Sequence, residues 1–343
     1  MEPPAPSSSR PPALPMEPPA LDPEVATLRS RRQKLQAMEV LDFHGVDFVR
    51  LRLLRCGRRA YLHAAEDGRS LRLDPRRESH NAVWAVTPHF YADMAIDCVL
   101  LRGAYGRYLG APDPTPRGLR LCPFPSPCRA AKQRDYDSEE VPANLWRAVA
   151  TSRQGAYLLQ DGAERYLRAN SRCLLPCCSR LHVSGCAGPL FTATQWAVER
   201  VPRAGRAPAL PRPTASLFAR VCPPLPCLCL CTSEREIRWV SPQPNQAVNE
   251  ANWTSERYTG RLTIDLKGQL VKQVPPRFYM PDYTLCVRAG RYGELSPLVV
   301  NLPRSREPLY IVVLERHTAA DNQLIYPDVN AVAGAAAVPE PVL

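Results

Sequence analysis

The chain has 343 residues, 45% of them hydrophobic and 22% charged, which exceeds one ordinary domain and excludes disorder throughout. Its formal net charge is +11, but the 44 basic residues, only four of them lysine (Lys34, Lys132, Lys267 and Lys272), are spread over many short segments. With no zinc-finger, helix-turn-helix or aromatic RNA-binding signature, no specific nucleic-acid contact is expected.

No apolar stretch of signal-peptide length opens the sequence, and no run approaches the roughly 20 apolar residues of a membrane span. A cytoplasmic protein is therefore expected, with the nucleus as the alternative compartment. In that setting the sequon Asn252-Trp253-Thr254 stays unused, and the odd number of cysteines, 13, reads as free thiols. Prolines gather in Met1 to Pro23, Pro112 to Pro127 and Val201 to Pro226, marking a tail, a loop and a linker.

From Val49 onward one pattern occurs three times: an apolar strand, a short turn, a Tyr-Leu pair and a closing Trp. The first copy runs Val49 to Leu53, Tyr61 to Ala64, Ser70 to Leu73 and Val83 to Val86, alternating apolar and polar residues as one-sided burial requires. The second holds Cys98 to Arg102, Arg107 to Ala111 and Leu145 to Val149. The third holds Ala156 to Leu159, Arg165 to Asn170 and Gln195 to Val198. Tyr61, Tyr108 and Tyr166 correspond, as do Trp84, Trp146 and Trp196, and the Pro-rich insertion lies in the longer interval between the second and third Tyr. Three units of four short strands predict a closed β-trefoil over residues 38–203, because closure removes the exposed edges of so many short strands. The three Trp and the three Tyr-Leu pairs are expected to share its core; they mark structure, not chemistry.

Residues 204–233 read as a Pro/Cys-rich linker. Beyond it come a strand at Glu236 to Val240, a second at Tyr258 to Leu262, and a helix over Thr263 to Val274 with Leu262, Leu266, Leu270, Val271 and Val274 at helical spacing. Strands follow at Tyr283 to Ala289, Leu298 to Leu302 and Leu309 to Leu314, the last with the apolar continuity of a buried central strand. Such an order predicts a small α+β, β-grasp domain over residues 234–316, and residues 317–343 read as a flexible tail. Without a terminal Gly-Gly a conjugated, ubiquitin-type role is not expected, which leaves protein contact.

Catalytic, cofactor and metal sites are all expected to be absent. The six histidines are scattered, and Gly103, Gly106 and Gly110 sit at strand turns. Cys173, Cys177, Cys178 and Cys186 lack paired C-x-x-C knuckles and read as thiols rather than a zinc site. Cys222, Cys227, Cys229 and Cys231 stand in a Pro-Leu context that would also suit reversible acylation.

Several segments carry a family resemblance. They are Met38-Glu39, Val49 to Arg52, Tyr61 to Ala64, Glu66 to Ser70, Asn81 to Trp84, Val99 to Leu109 and Gln133 to Asp137, then Glu236 to Val240, Leu285 to Gly293 and Pro297 to Arg304. Together they resemble the plant family of unknown function numbered 569. The resemblance implies a fascin-like, actin-crosslinking-type trefoil with an associated ubiquitin-like domain, so the fold class is mainly β: trefoil first, ubiquitin-like β-grasp second. Family members begin near Met38-Glu39, so residues 1–37 read as a disordered Pro-rich extension.

Two functions follow as expectations: a non-enzymatic binding protein associated with filamentous actin, or a soluble protein-protein adaptor in plant stress or developmental signalling. A carbohydrate-binding trefoil is the weaker alternative, since trefoil lectins carry Gln-x-Trp whereas Gln195 and Trp196 are adjacent.

Overall fold

The computed structural model describes residues 40–54, 59–91, 96–112, 129–137, 141–169, 181–184, 192–212, 234–241, 252–274 and 282–331. The expectations for residues 1–37, for most of the Pro112 to Pro127 insertion and for both cysteine clusters lie outside the described residues. All described residues belong to one compact unit.

The three copies fold as read, with additions. The first holds β1 (Phe48–Leu53), β2 (Tyr61–Ala64), β3 (Leu71–Asp74) and β4 (Val83–Tyr91). The second holds β5 (Ile96–Arg102), β6 (Tyr108–Gly110), β7 (Arg129–Ala130), β8 (Lys132–Arg134) and β9 (Leu145–Ala150). The third holds β10 (Tyr157–Asp161), β11 (Tyr166–Ala169), β12 (Leu181–Ser184) and β13 (Gln195–Val201). Strand β1 pairs with β4, β4 with β5, β5 with β9, β9 with β10, β10 with β13 and β13 with β1, all antiparallel, so six strands close into a ring. Each copy adds a two-stranded pairing: β2 with β3, β6 with β8, and β11 with β12. A fourth strand is expected in every copy, but the sequence assigns no segment to β8 or β12, nor to the additional β7, because pieces of two to four residues are too short to show a period.

The copies share one polar contact. Trp84 Nε1 donates to the Leu62 carbonyl at 3.1 Å, Trp146 Nε1 to Leu109 at 2.7 Å, and Trp196 Nε1 to Leu167 at 3.1 Å. All six side chains are fully buried, so each closing Trp fills the common core while its N–H satisfies the strand carbonyl of its own Tyr-Leu pair. The tyrosines depart from expectation. Strand alternation puts them on the opposite face from the leucines: Tyr108 packs in a separate cluster with Leu100 and Leu145, and Tyr166 is half-buried with its hydroxyl accepting from Gln160 Nε2 at 3.2 Å.

The second sheet contains β14 (Glu234–Val240), β15 (Thr254–Thr259), β16 (Tyr283–Arg288), β17 (Ser296–Pro297) and β18 (Leu309–Glu315), in spatial order β15-β14-β18-β16-β17. Strand β18 is central, parallel to β14 and antiparallel to β16, as its apolar run predicts. The helix Thr263–Val271 lays Leu266 and Leu270 on the face formed by Ile237, Leu285, Ile311 and Val313, and exposed Gly268 is accommodated in its middle. The strand expected at Leu298 to Leu302 does not form; the two-residue β17 lies just before it. Leu298, Val300 and Leu302 are still buried, but Pro297 and Pro303 lack the N–H groups a continuing ladder needs.

A flexible tail is expected from His317, yet residues 317–331 are packed: Asp321 accepts from Thr284 Oγ1 at 2.8 Å and Leu324 lies against Val240, Cys286, Val312 and Leu314 of the second sheet, while the residues after it reach the first. Ile325 and Val329 cover Phe48, Val83 and Val201, whose side chains lie outside the ring core. Ala204 N donates to Tyr326 O at 2.7 Å and Asp328 N to Pro202 O at 2.9 Å. The fully buried Arg50 guanidinium donates to Val329 O at 2.7 Å, and burial holds its pKa below the ordinary arginine value.

Candidate functional site

Segments that carry the family resemblance meet at the junction of the two sheets. The turn Glu66 to Ser70 abuts residues 303–307: Arg304 N donates to Glu66 O at 2.5 Å, and the Arg261 and Arg304 guanidiniums both lie 3.2 Å from the Glu66 carboxylate. Burial works against the charge on Glu66, but these arginines hold its carboxyl below the usual range. Arg107 fastens three segments, with Nε 2.8 Å from Asp135, Nη1 2.8 Å from Gly68 O and 2.7 Å from Glu307, which Arg69 also pairs.

Beside this cluster, Tyr136 N donates to Ala289 O at 3.0 Å, Tyr292 N to Tyr136 O at 2.9 Å, and Arg291 N to Asp137 Oδ1 at 2.9 Å. Tyr108 joins the same seam by accepting from Glu294 N at 3.1 Å, and Arg102 pairs with Glu294 at 3.1 Å while donating to Leu295 O. The rings of Tyr108, Tyr136 and Tyr292 follow one another with centroid spacings of 5.1 and 6.3 Å. Of the expected markers, then, only Tyr108 reaches the junction. The other five are parts of the first sheet alone.

Above the junction opens a cleft of about 470 Å³, within the range of ligand pockets. Arg107, Asp135 and Asp137 line it from the first sheet, and Arg238, Trp253, Arg288, Arg291 and Tyr310 from the second. Ladder register sets Arg238, Tyr310 and Arg288 opposite one another on β14, β18 and β16, so two guanidiniums flank one phenol on the same face. Trp253 meets the Tyr310 ring edge-on at 5.4 Å, and the Arg238 guanidinium lies 5.6 Å from that ring while donating to its hydroxyl at 3.2 Å. Arg238 also pairs with Glu236 at 2.9 Å. Arg291 is exposed beside the Tyr292 ring, 5.7 Å from its centroid.

None of Arg238, Trp253, Arg291 and Tyr310 was picked out from the sequence as a binding residue. Arg238 and Arg291 lie inside segments noted for the resemblance, Trp253 was read only as part of a sequon, and Tyr310 was submerged in an apolar strand whose parity turns it outward. Among the described residues no group of His, Cys, Asp and Glu could hold a metal ion, and no helix is long and apolar enough to cross a membrane.

Residues 233–314 match the family model of the DUF569-associated ubiquitin-like domain. The match supports the family that the sequence resembles. The chain is thus mainly β, with a ubiquitin-like C-terminal sheet. No curated protein matches the chain. Among solved structures, a salivary protein from Culex quiquefasciatus of the Cysteine and Tryptophan-Rich family shares 11% identity over 47% of this chain and 96% of its own, with a TM-score of 0.30. A Polyporus squamosus lectin, bound to an influenza-binding epitope, shares 13% over 47% of this chain and 51% of its own, with a TM-score of 0.32. A Clostridium perfringens endo-β-galactosidase shares 13% over 46% and 33%, with a TM-score of 0.32. At these scores the likeness carries no argument about ligand or activity.

Proposed function

We propose that the protein is a non-enzymatic, cytoplasmic protein-protein adaptor of the DUF569 family, in which a fascin-like β-trefoil and a ubiquitin-like domain act as one body and receive a partner in the cleft above their junction. The composite cleft carries this reading: both sheets build it, and Trp253, Tyr310, Arg238 and Arg291 are residue types that dominate binding energy at protein interfaces. The closed ring and the thrice-repeated Trp-to-Leu bond support the trefoil assignment. A place in plant stress or developmental signalling fits an adaptor and rests on the resemblance. Association with filamentous actin also rests on the resemblance alone, and fold does not carry function.

The test compares the full chain with its Trp253→Ala/Tyr310→Ala variant in cross-linking capture from plant cell extract, with actin co-sedimentation at low and physiological salt alongside. A partner held by the parent and lost by an equally stable variant supports the adaptor. Capture that ignores the cleft, or saturable actin pelleting at physiological salt that survives the double substitution, contradicts it.

A further inference from the structure

The cleft's charges are unequal in number and in engagement. Four arginines face two aspartates. On the first-sheet side Arg107 is already bound to Asp135 and Glu307, so it is engaged within its own wall. On the second-sheet side the Arg291 guanidinium has no carboxylate partner among the described residues and stands at the lip in solvent; its Tyr292 contact is to a ring face. Arg238 spends one nitrogen on Glu236 and one on the Tyr310 hydroxyl, and its side chain keeps 44% exposure. The floor between these cations is aromatic, made by Tyr310 and Trp253.

We propose that the occupant of this cleft is an acidic, extended segment of a partner protein, whose carboxylates meet Arg238 and Arg291 and whose backbone crosses Tyr310. This inference rests on the adaptor reading and gives its ligand a chemistry. An extended chain repeats side chains on one side about every 7 Å, so alternating acidic residues present a row of carboxylates to a wall of arginines. A single-stranded nucleic acid also likes aromatic and cationic surfaces, but it brings a charge at every nucleotide and no N–H donors along its backbone. The amides of a peptide can donate to the Asp135 and Asp137 carboxylates on the opposite lip, which a phosphodiester backbone cannot do.

The experiment titrates the full chain into fluorescein-labelled ten-residue peptides of alternating Glu and Ala or alternating Lys and Ala, and into a ten-nucleotide uridine RNA. Fluorescence anisotropy is read at physiological salt. The Glu peptide binds saturably, and Arg238→Glu and Arg291→Glu each weaken it about tenfold or more, because attraction becomes repulsion at a partly desolvated contact. Arg206→Glu, at an exposed position outside the cleft, leaves it unchanged. Equal weakening by Arg206→Glu would reduce the effect to diffuse charge and overturn the proposal, as would no binding of the Glu peptide or tighter binding of the RNA. Should a captured partner depend on Trp253 and Tyr310 but survive Arg291→Glu and Arg238→Glu, the acidic ligand is overturned while the adaptor reading stands.

Discussion

Gly290 lies against the backbone of Tyr136 so closely that a Cβ built on it would sit 2.6 Å from the Tyr136 nitrogen and 2.7 Å from its oxygen. Its φ of +84° is moreover a conformation L side chains rarely adopt. Gly290→Ala therefore breaks both the turn and the pair of backbone hydrogen bonds around Tyr136, and costs about 2–5 kcal/mol from strain and overpacking combined. Gly205→Ala, with open space around it and no positive φ, is near neutral. Urea unfolding of the two variants checks the contrast.

The three Trp-to-Leu bonds make the copies energetically comparable. Trp84→Phe, Trp146→Phe and Trp196→Phe each leave a buried carbonyl without its donor and remove ring volume, so each lowers stability by about 1–3 kcal/mol. Trp253→Phe, half-buried in the cleft, stays within about 0.5 kcal/mol. A thermal unfolding series on the four variants separates core from cleft.

Acid sensitivity has an identifiable source. Burial holds the imidazoles of both His63 and His182 down at about 4 from the ordinary 6.5; Asp74 pulls His63 up against Arg72 and Arg76, and Arg168 adds to the depression at His182. The unfolded chain takes up these protons as pH falls through 6.5, whereas the folded chain does so only near 4. The neutral histidines' stabilisation is thus fully present above pH 6.5 and is lost as pH falls from 6.5 to 4. His63→Leu should flatten the pH dependence of the unfolding free energy in that window by one proton's worth of slope, and an unchanged slope would contradict the assignment.

Ending the chain after Gln323 removes Ile325 and Val329 from Phe48, Val83 and Val201 and takes the Val329 carbonyl from the buried Arg50 guanidinium. Stability should drop by about 2 kcal/mol or more. Arg50→Met in the shortened chain should restore part of it, since an apolar side chain needs no acceptor there. Denaturation midpoints of the full, shortened and shortened-plus-Met chains test this.

Much of the fold was legible because its signals are local. Alternation at Val49 to Leu53, the recurrence of Tyr-Leu and Trp, and the unbroken apolar run Leu309 to Leu314 each declare their strand, and β18 duly lies at the centre of its sheet. What escaped is information held between distant segments. Nothing in Gln133 to Asp137 says that Tyr136 exchanges backbone hydrogen bonds with Ala289 and Tyr292, or that Ile325 finds Phe48. The cleft was hidden for the same reason: Trp253, Tyr310, Arg238 and Arg291 are unremarkable apart, and become a site only when three adjacent strands and the junction set them side by side. The tyrosine markers teach a narrower point, that a repeated residue can be placed by the repeat on the face away from the shared core.

Locking of the two sheets into one body through Arg107, Tyr136 and Gly290 is the claim on which the cleft depends. Hydrogen exchange of the full chain at rising urea, read by mass spectrometry on peptides containing Leu109 in the first sheet and Val313 in the second, tests it directly. The account predicts that both peptides lose protection in a single transition with one midpoint, and that Gly290→Ala splits it in two. Two separate midpoints in the parent chain would contradict it.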